Sequence, residues 1–225
     1  MRKMPSITPF WAQTCRCVLV LFFSLTTQAQ AQSANWPQWG GPQRNFMVEA
    51  KGLAETWLAS GPKRLWSRPL GEGHSSLIVE ADRLYTMYSK GEQEFVVALD
   101  RATGKTIWEK GYAAPTTGLN LENERGPHAT PLILGNMLFA VGVTSKLQAF
   151  EKQTGAMVWS HDLWREYGGT VKGRGYSRSP LAYKNTVISA VGGAGQSLMA
   201  FDLKTGEVVR KSAIAHRGLN WVSGY

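Results

Sequence analysis

The sequence predicts an all-β chain built from four-stranded antiparallel blades, on three observations. First, an eleven-residue motif occurs three times. It reads ALDRATGKTIW from Ala98 to Trp108, AFEKQTGAMVW from Ala149 to Trp159 and AFDLKTGEVVR from Ala200 to Arg210, each start 51 residues after the last. A fixed period of this size marks a repeat architecture. Second, GPHATP from Gly126 and GYSRSP from Gly175 keep step with the motif, and a degenerate copy, GHSSLIV, begins at Gly73. Third, short strand-like runs fill the spaces between these landmarks, and no stretch carries helical periodicity of useful length. Four short strands in about fifty residues is the content of a β-propeller blade.

The elements follow in chain order. Arg2, Lys3 and Arg16 precede the apolar run CVLVLFFSL, and small residues stand at Ala29 and Ala31. These are the parts of a secretory signal over residues 1–31, cleaved after Ala31. The apolar run is far short of the roughly twenty residues of a spanning helix, so the chain is expected not to span a membrane. Both cysteines, Cys15 and Cys17, fall inside the signal. The mature chain is then without disulfides, thiolate chemistry or cysteine metal sites. It also has no Cys just after the apolar run to carry a lipid anchor. Residues 32–62 read as a leader, with NWPQWGGPQRN at 35–45, and residues 63–225 as a partial propeller.

Within that propeller, KRLWS at 63–67 reads as an orphan outer strand. RLYTMY, EFVVAL and KTIWEK supply strands of the first blade. MLFAVGV, KLQAF and AMVWSH supply the second, and TVISAV, SLMAF and EVVRKS the third. Gly224 and Tyr225 repeat Gly175 and Tyr176 at the same 49-residue interval that separates Gly126 from Gly175. About three blades are therefore expected here, with the sequence stopping at the opening of a fourth.

The repeated motif has a physical explanation as a turn between the third and fourth strands. The acids Asp100, Glu151 and Asp202 accept hydrogen bonds from free N–H groups of the turn, helped by Thr103, Thr154 and Thr205. Gly104, Gly155 and Gly206 take the positive φ that closes the loop, where a β-carbon is strained. Trp108 and Trp159 lie four residues beyond the glycine and offer a flat face and an N–H to the neighbouring sheet. These residues are assigned to blade geometry, and none of them to catalysis. On this assignment Gly155→Val is expected to do far more harm than Gly169→Val.

On these residues the chain resembles the quinoprotein-like (pyrroloquinoline-quinone-type) β-propellers, whose tryptophan-docking repeat reads A-x-D-x-x-T-G-x-x-x-W. The resemblance runs from about Trp66 to the end. Arg210 in place of Trp, and Glu151 in place of Asp, imply weaker individual docking contacts rather than a different fold. The NWPQWGGPQRN segment is also similar to the leader of exported propellers of this type. One branch of the family is the quinoprotein dehydrogenases, which hold the quinone and Ca²⁺ at the propeller axis, with adjacent cysteines above the ring. Another branch is non-catalytic propellers that hold partners in their loops, including a lipoprotein of outer-membrane barrel assembly. Fold likeness does not choose between them.

The remaining sequence narrows the choice. With the signal removed, 22 basic face 16 acidic side chains, scattered rather than blocked, which argues against a nucleic-acid groove. Histidines 74, 128, 161 and 216 have no paired metal spacing, and no G-x-S-x-G elbow is present. No metal site is assigned; NLENER at 120–125 is oxygen-rich but has no ligand spacing. GGAGQS at 192–197 lacks the Lys and Ser/Thr of a phosphate loop and reads as a hairpin turn.

The expected role is a periplasmic or secreted scaffold that binds a protein partner or small ligand at its axial face, without a cofactor. The alternative is part of a quinone-dependent alcohol or sugar dehydrogenase, with pyrroloquinoline quinone and Ca²⁺. The loops that open each blade are where propellers place function. His74, His128 and Tyr176, with Arg174 and Arg178 nearby, are the candidate ligand-binding residues, and Trp221 is a candidate ligand-facing aromatic.

Overall fold

A computed structural model describes residues 35–48, 52, 54–121, 125–169 and 173–212. Three four-stranded antiparallel sheets follow one another along the chain, each in sequence order. The first holds β1 (Ile78–Glu80), β2 (Arg83–Lys90), β3 (Gln93–Asp100) and β4 (Thr106–Ala113). The second holds β5 (Leu132–Leu134), β6 (Met137–Val141), β7 (Lys146–Glu151) and β8 (Met157–Asp162). The third holds β9 (Leu181–Tyr183), β10 (Thr186–Gly193), β11 (Gln196–Asp202) and β12 (Val208–Ser212). Each strand-like run read within the three blades overlaps one of these strands, MLFAVGV running two residues past β6 and KTIWEK, AMVWSH and EVVRKS starting one residue early, and Ala194-Gly195 within GGAGQS turns the β10–β11 hairpin.

The turn motif is built the same way three times. The Gly104 N–H donates to Asp100 O and the Asp100 N–H to Lys105 O, both at 2.8 Å. Gly155 and Gly206 repeat the first bond, to Glu151 and Asp202, and all three glycines have φ of 70–75°. The ladder shifts register beside each turn, at Ala98/Leu99, Ala149/Phe150 and Ala200/Phe201. Such a bulge bends the outer strand and strengthens its twist.

The acids differ in a way their lengths explain. Asp100 Oδ1 accepts from the Thr103 N–H (2.7 Å) and Thr103 Oγ1 (2.6 Å). Asp202 Oδ1 accepts from the N–H groups of Lys204 (2.8 Å) and Thr205 (2.9 Å). These bonds hold both carboxyls below their ordinary value. The longer Glu151 side chain is bonded to Thr154 Oγ1 (2.6 Å). Glu151→Asp is expected to restore the backbone bonds and raise the melting temperature modestly. Calorimetry checks this, and an unchanged or lower midpoint contradicts it.

Packing between sheets uses the same landmarks. The Trp108 ring lies on Gly155, and its Nε1 donates to Lys152 O at 2.9 Å. Trp159 lies on Gly206 and donates to Leu203 O at 3.0 Å. Trp66 lies on Gly104 and donates to Arg101 O at 2.9 Å. Residues 63–67 themselves pair in no ladder, so the expected orphan strand is an unpaired segment that delivers an indole. Arg210, opposite Ala200 as Trp108 is opposite Ala98, is exposed.

Apolar residues fill the spaces between the sheets. Tyr85, Met87, Val96 and Trp108 meet Ile133, Leu138 and Phe150, while Leu132, Phe139 and Leu147 meet Val187, Met199 and Phe201. Among the described residues one short helix, α1 (Leu163–Tyr167), interrupts the otherwise all-β chain. Asp162 caps it by accepting from the Arg165 N–H at 3.0 Å, and Gly168 ends it at φ 63°. Five residues are too few to register as helical periodicity, so only the cap residues carried a signal.

Candidate functional site

Antiparallel order places the blade-to-blade loops at one end of the sheets, with the β2–β3, β6–β7 and β10–β11 turns. The three Gly-closed turns lie at the other end. At the first end, a chain of equivalent positions links the blades. The Ser76 N–H donates to Thr130 Oγ1 (3.3 Å), and the Thr130 N–H donates to Ser179 Oγ (2.9 Å). Each stands two residues before its first strand.

Four residues before each first strand stand His74, His128 and Ser177. The structure brings His74 and His128 together edge to face, with ring centroids 5.2 Å apart. The His74 N–H donates to Pro127 O at 2.9 Å, which fixes the two loops against each other. His74 is exposed and His128 half-buried.

Tyr176 is placed differently from its expected position at this opening. Counted from the first strand, it matches Pro127 rather than His128, and one residue of slip turns a side chain to the opposite face. It is 1% exposed, and its hydroxyl meets Ser189 Oγ at 2.9 Å. Burial outweighs that bond and the Arg178 charge, so its hydroxyl is pushed up to about 12. Tyr176 is a core residue. Arg174 and Arg178 are exposed on the same loop. Trp221 lies outside the described residues.

A feature not singled out in the sequence lies between the first two blades. Glu94 is 1% exposed. Its Oε1 accepts from the Val143 N–H of the second blade (3.0 Å), and its Oε2 from the Tyr112 hydroxyl (2.7 Å). Gly142 leaves the room, since a β-carbon there would collide with both Glu94 and Tyr112. Glu94 borders a cavity of about 410 Å³ that is also lined by Glu72, Ser89, Glu92 and Arg125. A charged residue at the buried phase of the strand EFVVAL was the available signal.

Burial raises the Glu94 carboxyl above its ordinary 4.5, against the opposing effects of Val143, Tyr112 and Lys146. A raised folded value means that the contribution to stability is full below 4.5 and is lost as pH rises through the folded value. Glu94→Gln removes that titration. The melting temperature of the variant relative to the parent is expected to rise between pH 4.5 and pH 8. Parallel curves over that range contradict the assignment. Asp100 and Asp202 do not interfere, because their lowered values place their losses below pH 3.8.

Three successive four-stranded sheets, each receiving an indole on its turn glycine, make the chain part of a β-propeller of the pyrroloquinoline-quinone repeat type. The family model described as outer membrane protein assembly factor BamB matches residues 48–222, and the chain belongs to that family. The outer membrane protein assembly factor BamB of Shewanella oneidensis is 31% identical over 88 residues, 39% of this chain and 22% of that protein. The dehydrogenase subunit of the quinone alcohol dehydrogenase of Gluconobacter oxydans is 32% identical over 94 residues, 40% of this chain and 12% of that protein. The aligned part thus spans less than a quarter of either relative. Among solved structures, BamB from Moraxella catarrhalis matches with a TM-score of 0.43 at 20% identity, covering 60% of this chain and 38% of that one.

The adjacent cysteines that the resemblance calls for above the quinone ring have no counterpart after Cys17. Among the described residues no three His, Cys, Asp or Glu side chains come together to hold a metal ion.

Proposed function

We propose that the chain is part of an exported propeller scaffold, with a signal over 1–31, a leader over 32–62 and blades over 63–225. It holds a protein partner or small ligand at the axial face, at the end made by the blade-to-blade loops. One observation carries this reading. Three consecutive blades present His74, His128 and the pair Arg174 and Arg178 at the same end, beside their first strands. Polar side chains on loops over a rigid scaffold are suited to binding. Similarity to an assembly factor supports a protein partner, and the predicted signal supports a periplasmic or secreted location.

A photo-crosslinking residue at position 74 or 178, with position 204 at the opposite end as control, tests the reading. The expected result is a discrete protein adduct from 74 or 178 and none from 204. Adducts only from 204, or none from any position, would overturn the protein-partner reading.

Similarity to the quinone alcohol dehydrogenase favours a second reading, a piece of a quinone-dependent enzyme. Dye reduction after adding pyrroloquinoline quinone and Ca²⁺ would establish it in place of the scaffold.

A further inference from the structure

We propose that residues 35–44 are a strap that ties the inner edges of all three sheets together and guards them against strand addition. Each first strand, β1, β5 and β9, pairs within its sheet on one side only, with β2, β6 and β10. The other edge offers N–H and C=O groups to any extended chain that reaches it. Residues 35–44 take up an N–H and a C=O of the first strand in the first sheet, an N–H in the second and a C=O in the third.

Trp36 makes a two-bond bridge with Val79, at 2.8 and 2.9 Å, and Asn35 Oδ1 accepts from the Ala81 N–H at 3.0 Å. Pro37 O accepts from the Ile133 N–H at 2.8 Å. Arg44 Nη2 donates to Ala182 O at 2.7 Å. Val79, Ile133 and Ala182 are the middle residues of β1, β5 and β9. The leader therefore engages the equivalent position three times.

The strap is shaped by its own turn. Gly41 stands against the Trp36 ring, and Gly40 and Gly41 have φ of 79° and 78°. Arg44 and Phe46 are also left-handed, at 57° and 59°. Non-glycine residues hold such conformations where surrounding contacts over-determine them. Those contacts are present: the Phe46 N–H donates to Gly40 O (2.9 Å), the Arg44 N–H to Gly41 O (3.1 Å), and Arg44 Nε to Gln38 Oε1 (3.0 Å). The last bond aims the guanidinium at the third sheet. Pro37 suits the strap as well, because it needs no partner for an N–H.

Hydrogen exchange on the full chain tests the strap. A β-carbon on Gly41 would stand 2.7 Å from the Trp36 ring at a φ that valine strains to adopt. Gly41→Val is therefore expected to break the strap while leaving the turn bond of Gly155 to Glu151 untouched. Exchange should rise several-fold at Val79, Ala81 and Ile133, stay unchanged at Gly155, and be accompanied by self-association in light scattering. Arg44→Ala removes one exposed anchor whose acceptor is the Ala182 carbonyl, so the carbon-13 carbonyl shift of Ala182 is expected to move upfield while those of the other β9 residues stay, which remains readable if Gly41→Val fails to fold. Faster exchange at Val79 with Ile133 unchanged would reduce the leader to a cover for the first sheet and overturn the proposal. An unchanged Ala182 carbonyl shift in Arg44→Ala would also overturn it.

Discussion

Gly155→Val is expected to destabilise the chain by about 3 kcal/mol or more, one of the largest effects of any single change in the turns. Two costs combine. Its φ of 70° strains a β-branched residue by about 1–3 kcal/mol, and the added carbon stands 2.6 Å from the Trp108 ring, a clash of similar size. Thermal or urea unfolding measures the loss. The control must be chosen from the structure, because Gly169 is not the neutral position that the sequence led us to expect. A β-carbon there would meet Trp164 at 2.6 Å and Val191 O at 2.7 Å. A β-carbon on Gly173 would meet nothing within 4 Å and the residue has no left-handed φ, so Gly173→Val should stay within about 0.5 kcal/mol of the parent. Equal losses at 155 and 173 would contradict the turn assignment.

Trp108→Ala is expected to cost about 3–5 kcal/mol, the range for truncating a large buried aromatic. Trp108 is 7% exposed, packs among Tyr85 and Phe150, and satisfies the carbonyl of Lys152. Since Trp108 and Gly155 are two halves of one contact, their losses should not add. In Trp108→Ala the space over residue 155 opens, so a valine there keeps its φ strain but loses its clash. The double variant is expected to fall short of the sum by about 1–3 kcal/mol. Strict additivity would mean that the ring and the glycine are not the same contact.

Much of the blade was legible because its causes are local. The acid, Thr and Gly of each turn act on one another within six residues, so their hydrogen bonds and φ values follow from the residue types. Strand positions follow from alternation between two turn signals. The candidate site was less legible. His74 and His128 were singled out from separate loops, and only the folded chain shows the rings 5.2 Å apart. Tyr176 was matched to them by motif, whereas its distance from β9 turns it into the core.

The sequence by itself determined the repeat and the antiparallel strands of each blade. These depend on short-range sterics and hydrogen bonding repeated three times. Tertiary structure alone decided which groups from different blades meet. It seated Trp66 on Gly104, buried Glu94 between Val143 and Tyr112, and laid residues 36–44 across Val79, Ile133 and Ala182. These partners are 38 to 138 residues apart, except Glu94 and Tyr112 within one sheet. No periodicity encodes such meetings, because they are set by how one packed sheet is placed against the next.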